Sequence, residues 1–372
     1  MSEALGRLVL PDRVAAGRLT VEDGGITAIE LDDGSADGEA LPYLAPGFVD
    51  LHVHGGGGHH AMGDAAALDG LARHLLRHGV TGFLPTAVAA PIGELADFTA
   101  RVRAWLPDAS ADGAESLGTN LEGPFLAASR HGAHDPAFLR IPAEVSTGDL
   151  EPLLDGLRVI TIAPELPGAF ELIAWFRNRG VVTSLGHSAA TAAEARAGYE
   201  AGATSTTHLF NAMSGLDHRS PGLAAAALLE DGASVELIAD GVHVDPALWP
   251  LVIRVKPPDR LVLVSDGLAL AETAGARTRI GDLEVAVDGD RATLAGTTTL
   301  AGSVITLDRA VRNLVRSGIP LPVVAAAASA NPLALIGITD RGRIAVGQRA
   351  DLVELGNDLD VRRVMRAGAW VA

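Results

Sequence analysis

The alternation of apolar and polar positions changes character twice along the 372-residue chain. Residues 1 to about 46 hold short β-prone runs separated by glycine-rich turns, as in RLTVEDGGITAIELDDG. A long central part follows, in which apolar runs alternate with helical segments. From about residue 339 the chain returns to β character, in GRIAVGQRADLVEL and VRRVMRAGAWVA. We therefore expect one small β lobe built from residues 1–46 and 339–372, beside a larger domain over residues 47–338.

The central part contains eight β-prone runs, and helical segments such as LDGLARHLLRHG end at glycine between most of them. The runs lie near residues 48–54, 80–86, 117–122, 158–163, 181–186, 203–208, 234–240 and 261–266. A doubly wound open sheet would show the same local alternation, but eight repeats favour a closed barrel. We predict an α/β fold: a (β/α)₈ TIM-like barrel with a small β-sandwich lobe built from both chain ends.

The segment after the eighth run predicts two further elements. Residues 282–294 (DLEVAVDGDRATL) alternate as a β-hairpin that turns at Asp288-Gly289. A helix over residues 303–317 then completes the last repeat of the barrel. The hairpin is therefore expected as an insertion near the barrel mouth.

Composition and charge restrict the function. A formal net charge of −17 disfavours nucleic acid and anionic membrane surfaces as partners, because both would repel the protein. The chain has no cysteine, so histidines and carboxylates must carry any chemistry. The first residues, MSEALGRLVLPDR, lack a signal pattern, and no apolar run reaches the roughly 18 residues that span a bilayer. We expect a soluble, cytoplasmic protein.

Titratable side chains recur at the carboxyl ends of the predicted strands. His52 and His54 are two residues apart and so share one face of the first strand, just before four glycines. A barrel brings the carboxyl ends of its strands to one mouth, where barrel enzymes place their chemistry. The other strand-end groups that we expect there are Glu122, His187, His208 and Asp266.

Imidazoles and a carboxylate without thiolates predict a divalent metal site, with one or two ions per chain. Zn²⁺ is the preferred ion, with Fe, Co and Mn as alternatives. Water activated by such an ion needs a general base, and Asp266 is the candidate. Lys256 is the only lysine and follows the strands that would supply a modified lysine bridge, so any bridging role falls to Glu122.

Three further residues have candidate roles in substrate binding. His134, in HGAHDP after the third strand, could donate a hydrogen bond to a substrate carbonyl. His243 follows the seventh strand and Arg219 follows the His208 motif. Either could bind an anionic group, since a guanidinium matches phosphate or carboxylate geometry.

These motifs, taken in order, resemble the N-acetylglucosamine-6-phosphate deacetylase family of the amidohydrolase superfamily. The similarity covers essentially the whole chain, and LEGPF and THLFNAM are its most diagnostic parts. The other motifs are PGFVDLHVHGGGG, GAHDP, SLGHS, ADGVHV, LVSDG, TLAGS and GRIAVGQRADLVEL. The resemblance implies hydrolysis of the acetamido bond of a 6-phosphorylated amino sugar, in amino-sugar catabolism.

The resemblance also implies roles for individual residues. Glu122, His187 and His208 would hold the main metal, Asp266 would be the catalytic acid/base, and His134 would help to polarise the acetyl carbonyl. Arg219 and His243 would bind the phosphate, in part across a homodimer. Members of the family vary at the first strand, so His52 and His54 imply a second metal whose occupancy stays open. The residues expected to contact the substrate besides these are Ala133, Asn211, Ala212, Leu300, Ala301 and Gly302.

Three alternatives remain at this point. The substrate could be the epimeric N-acetylgalactosamine 6-phosphate, because one hydroxyl distinguishes the two sugars. A dihydroorotase-like or deaminase-like hydrolase of the same superfamily is the second alternative. The lack of a bridging lysine and the presence of the THLFNAM motif disfavour it. A catalytically inactive barrel that serves as a binding protein is the third, although Glu122, His187, His208 and Asp266 are all present.

Overall fold

The computed structural model describes residues 2–32, 41–271, 277–280 and 283–372. The strands of these residues are, in chain order, β1 (Ser2–Val9), β2 (Val14–Glu22), β3 (Gly25–Leu31), β4 (Tyr43–Pro46), β5 (Phe48–Val53), β6 (Gly55–Gly56), β7 (His59–His60), β8 (Val80–Ala87), β9 (Glu115–Ser116), β10 (Thr119–Phe125), β11 (Leu157–Ile162), β12 (Val182–Leu185), β13 (Ser205–Thr206), β14 (Ser234–Leu237), β15 (Leu261–Leu263), β16 (Arg277–Ile280), β17 (Leu283–Asp288), β18 (Arg291–Leu294), β19 (Leu352–Leu355), β20 (Val361–Arg366) and β21 (Ala369–Trp370). The α-helices are α1 (Ala65–Arg77), α2 (Ile92–Trp105), α3 (Thr147–Leu150), α4 (Ala169–Arg177), α5 (Ala192–Ala201), α6 (Leu223–Leu229), α7 (Trp249–Val255), α8 (Leu307–Arg316), α9 (Leu321–Ala327) and α10 (Ala330–Leu335). Short 3₁₀ turns include Ala128–Arg130 and Pro136–Phe138.

Eight parallel strands form a nearly closed barrel, which confirms the predicted fold class. The strands pair in the order β15-β14-β13-β12-β11-β10-β8-β5. A parallel bridge between Val53 and Gly267 joins the first barrel strand to the segment after the last one. Every residue of β5, β8 and β10 is buried, as expected for parallel strands that are covered on both faces. The eight predicted apolar runs are these eight strands.

Helices cover the outside of the barrel, and their ends follow from local sequence. The side chain of Asp64 accepts a hydrogen bond from the Ala67 N–H at the start of α1. Helix α5 begins with a reciprocal capping box between Thr191 and Glu194. Gly202, which follows α5, has a φ of 126°. No helix of the described residues is long and apolar enough to cross a membrane.

The two chain ends build a separate seven-stranded sheet in the order β21-β20-β19-β4-β1-β2-β3. Its pairs are antiparallel except for β1 with β4. The sheet curls so that β3 approaches the segment before β19, where the Ile26 N–H donates to the Gln348 carbonyl at 2.8 Å. A distinct apolar cluster that includes Leu8, Leu19 and Leu352 fills this lobe. The division of the chain at residues 46/47 and 338/339 stays a prediction.

The predicted hairpin is present, with a turn one residue later than expected. Asp288 pairs with Arg291, so Gly289 and Asp290 form the two-residue loop. Residue 282, the first of the predicted segment, lies outside the described residues. The helix predicted over residues 303–317 is α8, which starts at Leu307 rather than at residue 303, because Gly302 has a φ of 81° and Ser303 bridges to Gly267. The turn at Gly302 faces the barrel mouth.

Candidate metal and active site

The predicted strand-end groups meet at one mouth of the barrel. His52 lies within β5 and His54 directly follows it, while Glu122 lies within β10. His187, His208 and Asp266 follow β12, β13 and β15 by two or three residues. All of these side chains are at least nine-tenths buried. Residues that lie more than 200 positions apart in the chain therefore share one water-poor site.

Backbone geometry turns three of these side chains into the mouth. His187, His208 and Asp266 have φ values of 46°, 27° and 49°, in the left-handed region. Residues other than glycine are uncommon in this region, although aspartate and histidine occur there more often than most, and such conformations concentrate at functional sites. The glycine before His187 is also required, because a Cβ at Gly186 would lie 2.7 Å from the Cβ of Thr207.

Glu122, His187 and His208 form one compact cluster, here called the main cluster. Glu122 Oε1 lies 2.9 Å from His187 Nε2 and 2.8 Å from His208 Nε2. The two imidazole nitrogens are 3.1 Å apart. Three potential ligand atoms thus converge on one point, and all three belong to residues predicted to hold the main metal.

The chemistry of the main cluster fits a bound cation. His187 donates its Nδ1–H to the Arg130 carbonyl at 2.8 Å, so its Nε2 presents a lone pair toward Glu122. Burial lowers the pKa of His187 to about 4, so the ring is neutral at pH 7. Two acceptor atoms that face each other at 2.9 Å need a positive centre between them. Ligands of tetrahedral Zn²⁺ at about 2.0–2.2 Å lie roughly 3.3 Å apart, close to the observed spacing.

His52, His54 and Asp266 form a second cluster beside the first. The Nε2 atoms of His52 and His54 are 3.2 Å apart, and Asp266 Oδ1 lies 3.3 Å from His54 Nε2. Glu122 Oε2 lies 3.1 Å from His54 Nε2, so this carboxylate faces the main cluster with one oxygen and the second cluster with the other. This arrangement supports the prediction that Glu122, rather than a modified lysine, takes any bridging role.

The carboxylates of the two clusters, Glu122 and Asp266, are ionised at neutral pH. Burial raises the pKa of Glu122, but the neighbouring imidazoles of His52, His134 and His187 outweigh it and hold the pKa well below 4.5. Burial likewise raises the pKa of Asp266, and its hydrogen bond to His54 and the charges of His52 and His54 lower it below 3.8. Asp266 is therefore available to accept a proton.

His134 has a defined proton position. Its Nδ1 accepts the Ala89 N–H at 3.0 Å, which places the proton of the neutral ring on Nε2. That Nε2 lies 3.2 Å from Glu122 Oε2, beside the main cluster. His134 thus presents an N–H donor at the metal site, as its predicted role requires.

A cavity of about 610 Å³ opens above the main cluster. Its wall includes Arg130 and His131 of the loop before His134. Of the expected substrate contacts, the wall contains Ala133, His134, Asn211, Ala212, His243, Leu300, Ala301 and Gly302.

Two predicted residues lie off this wall. His52 belongs to the second cluster but is fully buried, so it does not reach the cavity. Arg219 is exposed on the loop after the His208 motif, where its N–H donates to Asp217. A role for Arg219 in phosphate binding therefore stays a prediction. His243 donates Nδ1–H to Asp240 Oδ2 at 2.6 Å, which fixes the orientation of its ring on the cavity wall.

The most informative residue that the sequence analysis missed is Glu236 on β14. Its Oε2 accepts hydrogen bonds from His52 Nδ1–H and from the His208 N–H, each at 3.1 Å. Glu236 is buried, and it contacts one ligand from each cluster. The signal was present in SVELIAD, because a carboxylate inside an apolar parallel strand needs a buried partner. Arg130 and His131 were also missed.

Comparisons with known proteins agree with this geometry. The model of the amidohydrolase family matches residues 43–371. The chain is 37% identical to the N-acetylgalactosamine-6-phosphate deacetylase of Escherichia coli O157:H7, with 94% of this chain and 93% of that protein covered. It is 38% identical to the N-acetylglucosamine-6-phosphate deacetylase of Bos taurus, with 88% and 83% covered.

Solved structures give the same picture. The structure of N-acetylglucosamine-6-phosphate deacetylase from Thermotoga maritima matches with a TM-score of 0.92 at 33% identity, over 100% of this chain and 99% of that one. An aspartate-to-alanine variant of the Mycobacterium smegmatis enzyme, in complex with N-acetyl-D-glucosamine-6-phosphate, matches with a TM-score of 0.91 at 34% identity, over 99% and 98%.

Proposed function

Because the chain belongs to the amidohydrolase family, we propose that it hydrolyses N-acetyl-D-glucosamine 6-phosphate to D-glucosamine 6-phosphate and acetate. The observation that carries the proposal is the main cluster of Glu122, His187 and His208, which faces Asp266 and His134 in one cavity. A barrel that had become a mere binding protein would not need these five groups together. The reaction belongs to amino-sugar metabolism.

Glu122, His187 and His208 would hold one divalent ion, and His52, His54 and Asp266 could hold a second. Zn²⁺ is the preferred ion because the donors are imidazoles and carboxylates; Fe, Co and Mn suit the same donors. When bound, such an ion supplies the positive charge that polarises a carbonyl oxygen and makes water a stronger acid. The other steps belong to side chains of the protein.

Asp266 and His134 carry the proton chemistry of this proposal. The ionised carboxylate of Asp266 accepts a proton from the attacking water, and then donates it to the nitrogen of the leaving amine. His134 donates its Nε2–H to the acetyl oxygen as negative charge develops there. The buried setting strengthens both interactions, because little water competes for these groups.

The cavity wall suggests how the sugar phosphate is held. Asn211, Ala212 and the turn at residues 300–302 lie where they can contact the sugar. Arg130, a cation, and His243, a polar side chain, lie on the same wall and can donate hydrogen bonds to the phosphate. Arg219 is exposed, which is consistent with the proposal that it reaches the phosphate of a partner subunit in a homodimer.

The epimer N-acetylgalactosamine 6-phosphate is the second candidate substrate. The observation that favours it is the 37% identity with the Escherichia coli O157:H7 protein over nearly the full length of both chains. The two sugars differ at a single hydroxyl group, and the metal site does not distinguish them. The reaction, the metal and the proton transfers would be the same for both.

Acetate release from four compounds tests the proposal. The metal-loaded protein should hydrolyse N-acetylglucosamine 6-phosphate, and should lose most of its kcat/KM when the phosphate is removed. The other two compounds are N-acetylgalactosamine 6-phosphate and its form without phosphate. Comparison of kcat/KM for the two sugar phosphates shows which substrate the enzyme prefers. Asp266→Asn should lose most of this activity, whereas the matched control Asp308→Asn, which alters a buried aspartate that binds His78 away from the cavity, should keep it. If folded, metal-loaded protein releases no acetate from any of the four, the proposed function is wrong.

A further inference from the structure

A second cavity of about 310 Å³ lies beside the first. The two cavities share three residues of their walls: His54, Val88 and Leu268. The second cavity therefore begins at the second cluster and leads away from the sugar side. None of the residues assigned to sugar or phosphate binding lines it.

The wall of the second cavity is mainly apolar. Met62, Ala90 and Phe138 contribute side chains to it, together with the shared Val88 and Leu268. Ala90 is buried, and Met62 and Phe138 are half-buried. His60, Glu94 and Arg279 also line the cavity. Its apolar part gains binding energy from a hydrocarbon group.

The segment from residue 86 to residue 90 connects this cavity to the position of the scissile amide. The Thr86 carbonyl accepts from His54 Nδ1–H at 3.2 Å, and the Ala89 N–H binds His134 Nδ1. Under the proposed function, His134 faces the oxygen of the acyl group. The substituents of the acyl carbon are that oxygen, the sugar nitrogen and the alkyl chain. The sugar would occupy the first cavity under the proposed function. The alkyl chain would then pass between Val88 and Leu268 into the second cavity.

We propose that the second cavity is an acyl subsite, which lets the enzyme hydrolyse hexosamine 6-phosphates with N-acyl chains longer than acetyl. This inference rests on the proposed function and extends its substrate class to neutral alkanoyl amides. The chemistry is unchanged: the oxygen of water bonds to the acyl carbon, the C–N bond breaks, and the amine takes a proton. The products are the amino sugar phosphate and propanoate or butanoate.

The chain-length dependence of the unmodified enzyme is the first test. Release of D-glucosamine 6-phosphate is measured for the N-acetyl, N-propanoyl and N-butanoyl compounds. We expect kcat/KM for the longer chains to stay within about 10-fold of the acetyl value, whereas one misfit methylene in a closed pocket costs up to roughly 200-fold. A loss above about 10-fold for propanoyl, with acetyl hydrolysed, overturns the subsite alone. Failure with all three compounds contradicts the proposed function instead.

A change that fills the second cavity is the second test. Ala90→Val adds two methyl groups to its wall, and Ala90→Ser is the matched control of nearly unchanged size. We expect Ala90→Val to lower kcat/KM for butanoyl at least 10-fold more than for acetyl, and Ala90→Ser to change the ratio little. Retained acetyl hydrolysis shows that the variant is folded. An equal effect of Ala90→Val on both substrates would show that the chain does not enter this cavity.

Discussion

Asp266 is the residue on which the proton transfers depend. Its carboxylate is buried, ionised and 3.3 Å from His54 Nε2, but it does not belong to the main cluster. Asp266→Asn keeps the shape and removes the base, so we expect kcat to fall by at least about two orders of magnitude. Metal bound at Glu122, His187 and His208 should remain, as measured by elemental analysis. A variant with full activity would show that Asp266 is not the base.

Glu236 is the residue that links the two clusters. Its carboxylate accepts hydrogen bonds from His52 and from the backbone of His208. Glu236→Gln replaces one acceptor oxygen with a donor, and we expect metal affinity to fall by about 10- to 100-fold, the usual effect of losing a group that orients a ligand. Competition with a chelator measures this affinity. Glu115→Gln, far from the mouth, is the control; equal affinities in all three proteins would contradict the role.

At the scale of elements, the ends of the barrel strands position the site at a cost in backbone strain. Asp266 has a φ of 49°, a conformation that costs an alanine about 1–2 kcal/mol and a glycine almost nothing. In the metal-free protein, Asp266→Gly should therefore be more stable than Asp266→Ala by about 1 kcal/mol, after allowance for the flexibility of glycine in the unfolded chain. Urea unfolding of both variants measures the difference. Equal stability, or a more stable alanine variant, would refute this account of the strand end.

The order of elements was predictable because parallel strands buried on both faces are continuous apolar runs. That pattern identified all eight barrel strands, and the lone lysine directed attention to Glu122. The local sequence pattern could not identify Glu236 as a residue of the site. Its importance comes from contacts with His52 and His208, which are distant in sequence. The pattern also could not show that residues 128–132 fold over the mouth and bring Arg130 to the cavity. Such contacts join residues that only the closed barrel brings together, so local sequence does not reveal them.

At the scale of the whole molecule, ion pairs connect the terminal segment to the barrel. Glu115 on β9 binds Arg341 at 2.9 Å and Arg349 at 2.6 Å, just before the strands of the lobe. Burial raises the pKa of Glu115, but the two guanidinium groups outweigh it and hold the pKa below 4.5. The unfolded chain therefore binds more protons than the folded protein as the pH falls through this range.

This linkage predicts a pH-dependent effect of Glu115→Gln. The stability that the ionised carboxylate contributes is present above pH 4.5 and is lost as the pH falls through the lower pKa of the folded state. We expect the variant to unfold at lower denaturant concentration than the unmodified protein at pH 7, and the gap to narrow below pH 4.5. Denaturant curves at several pH values measure it. A gap that is independent of pH would contradict the ion-pair explanation.

The central claim is that amide hydrolysis occurs at the main cluster of Glu122, His187 and His208. The most direct measurement is the rate of acetate release from N-acetylglucosamine 6-phosphate by metal-stripped protein as Zn²⁺ is added back. We expect negligible activity without metal, and a rise that saturates at one or two ions per chain. His187→Ala should remain inactive at the same Zn²⁺ concentrations while His78→Ala, outside the cavity, recovers. Full activity of the metal-stripped protein, or of His187→Ala, would contradict the account.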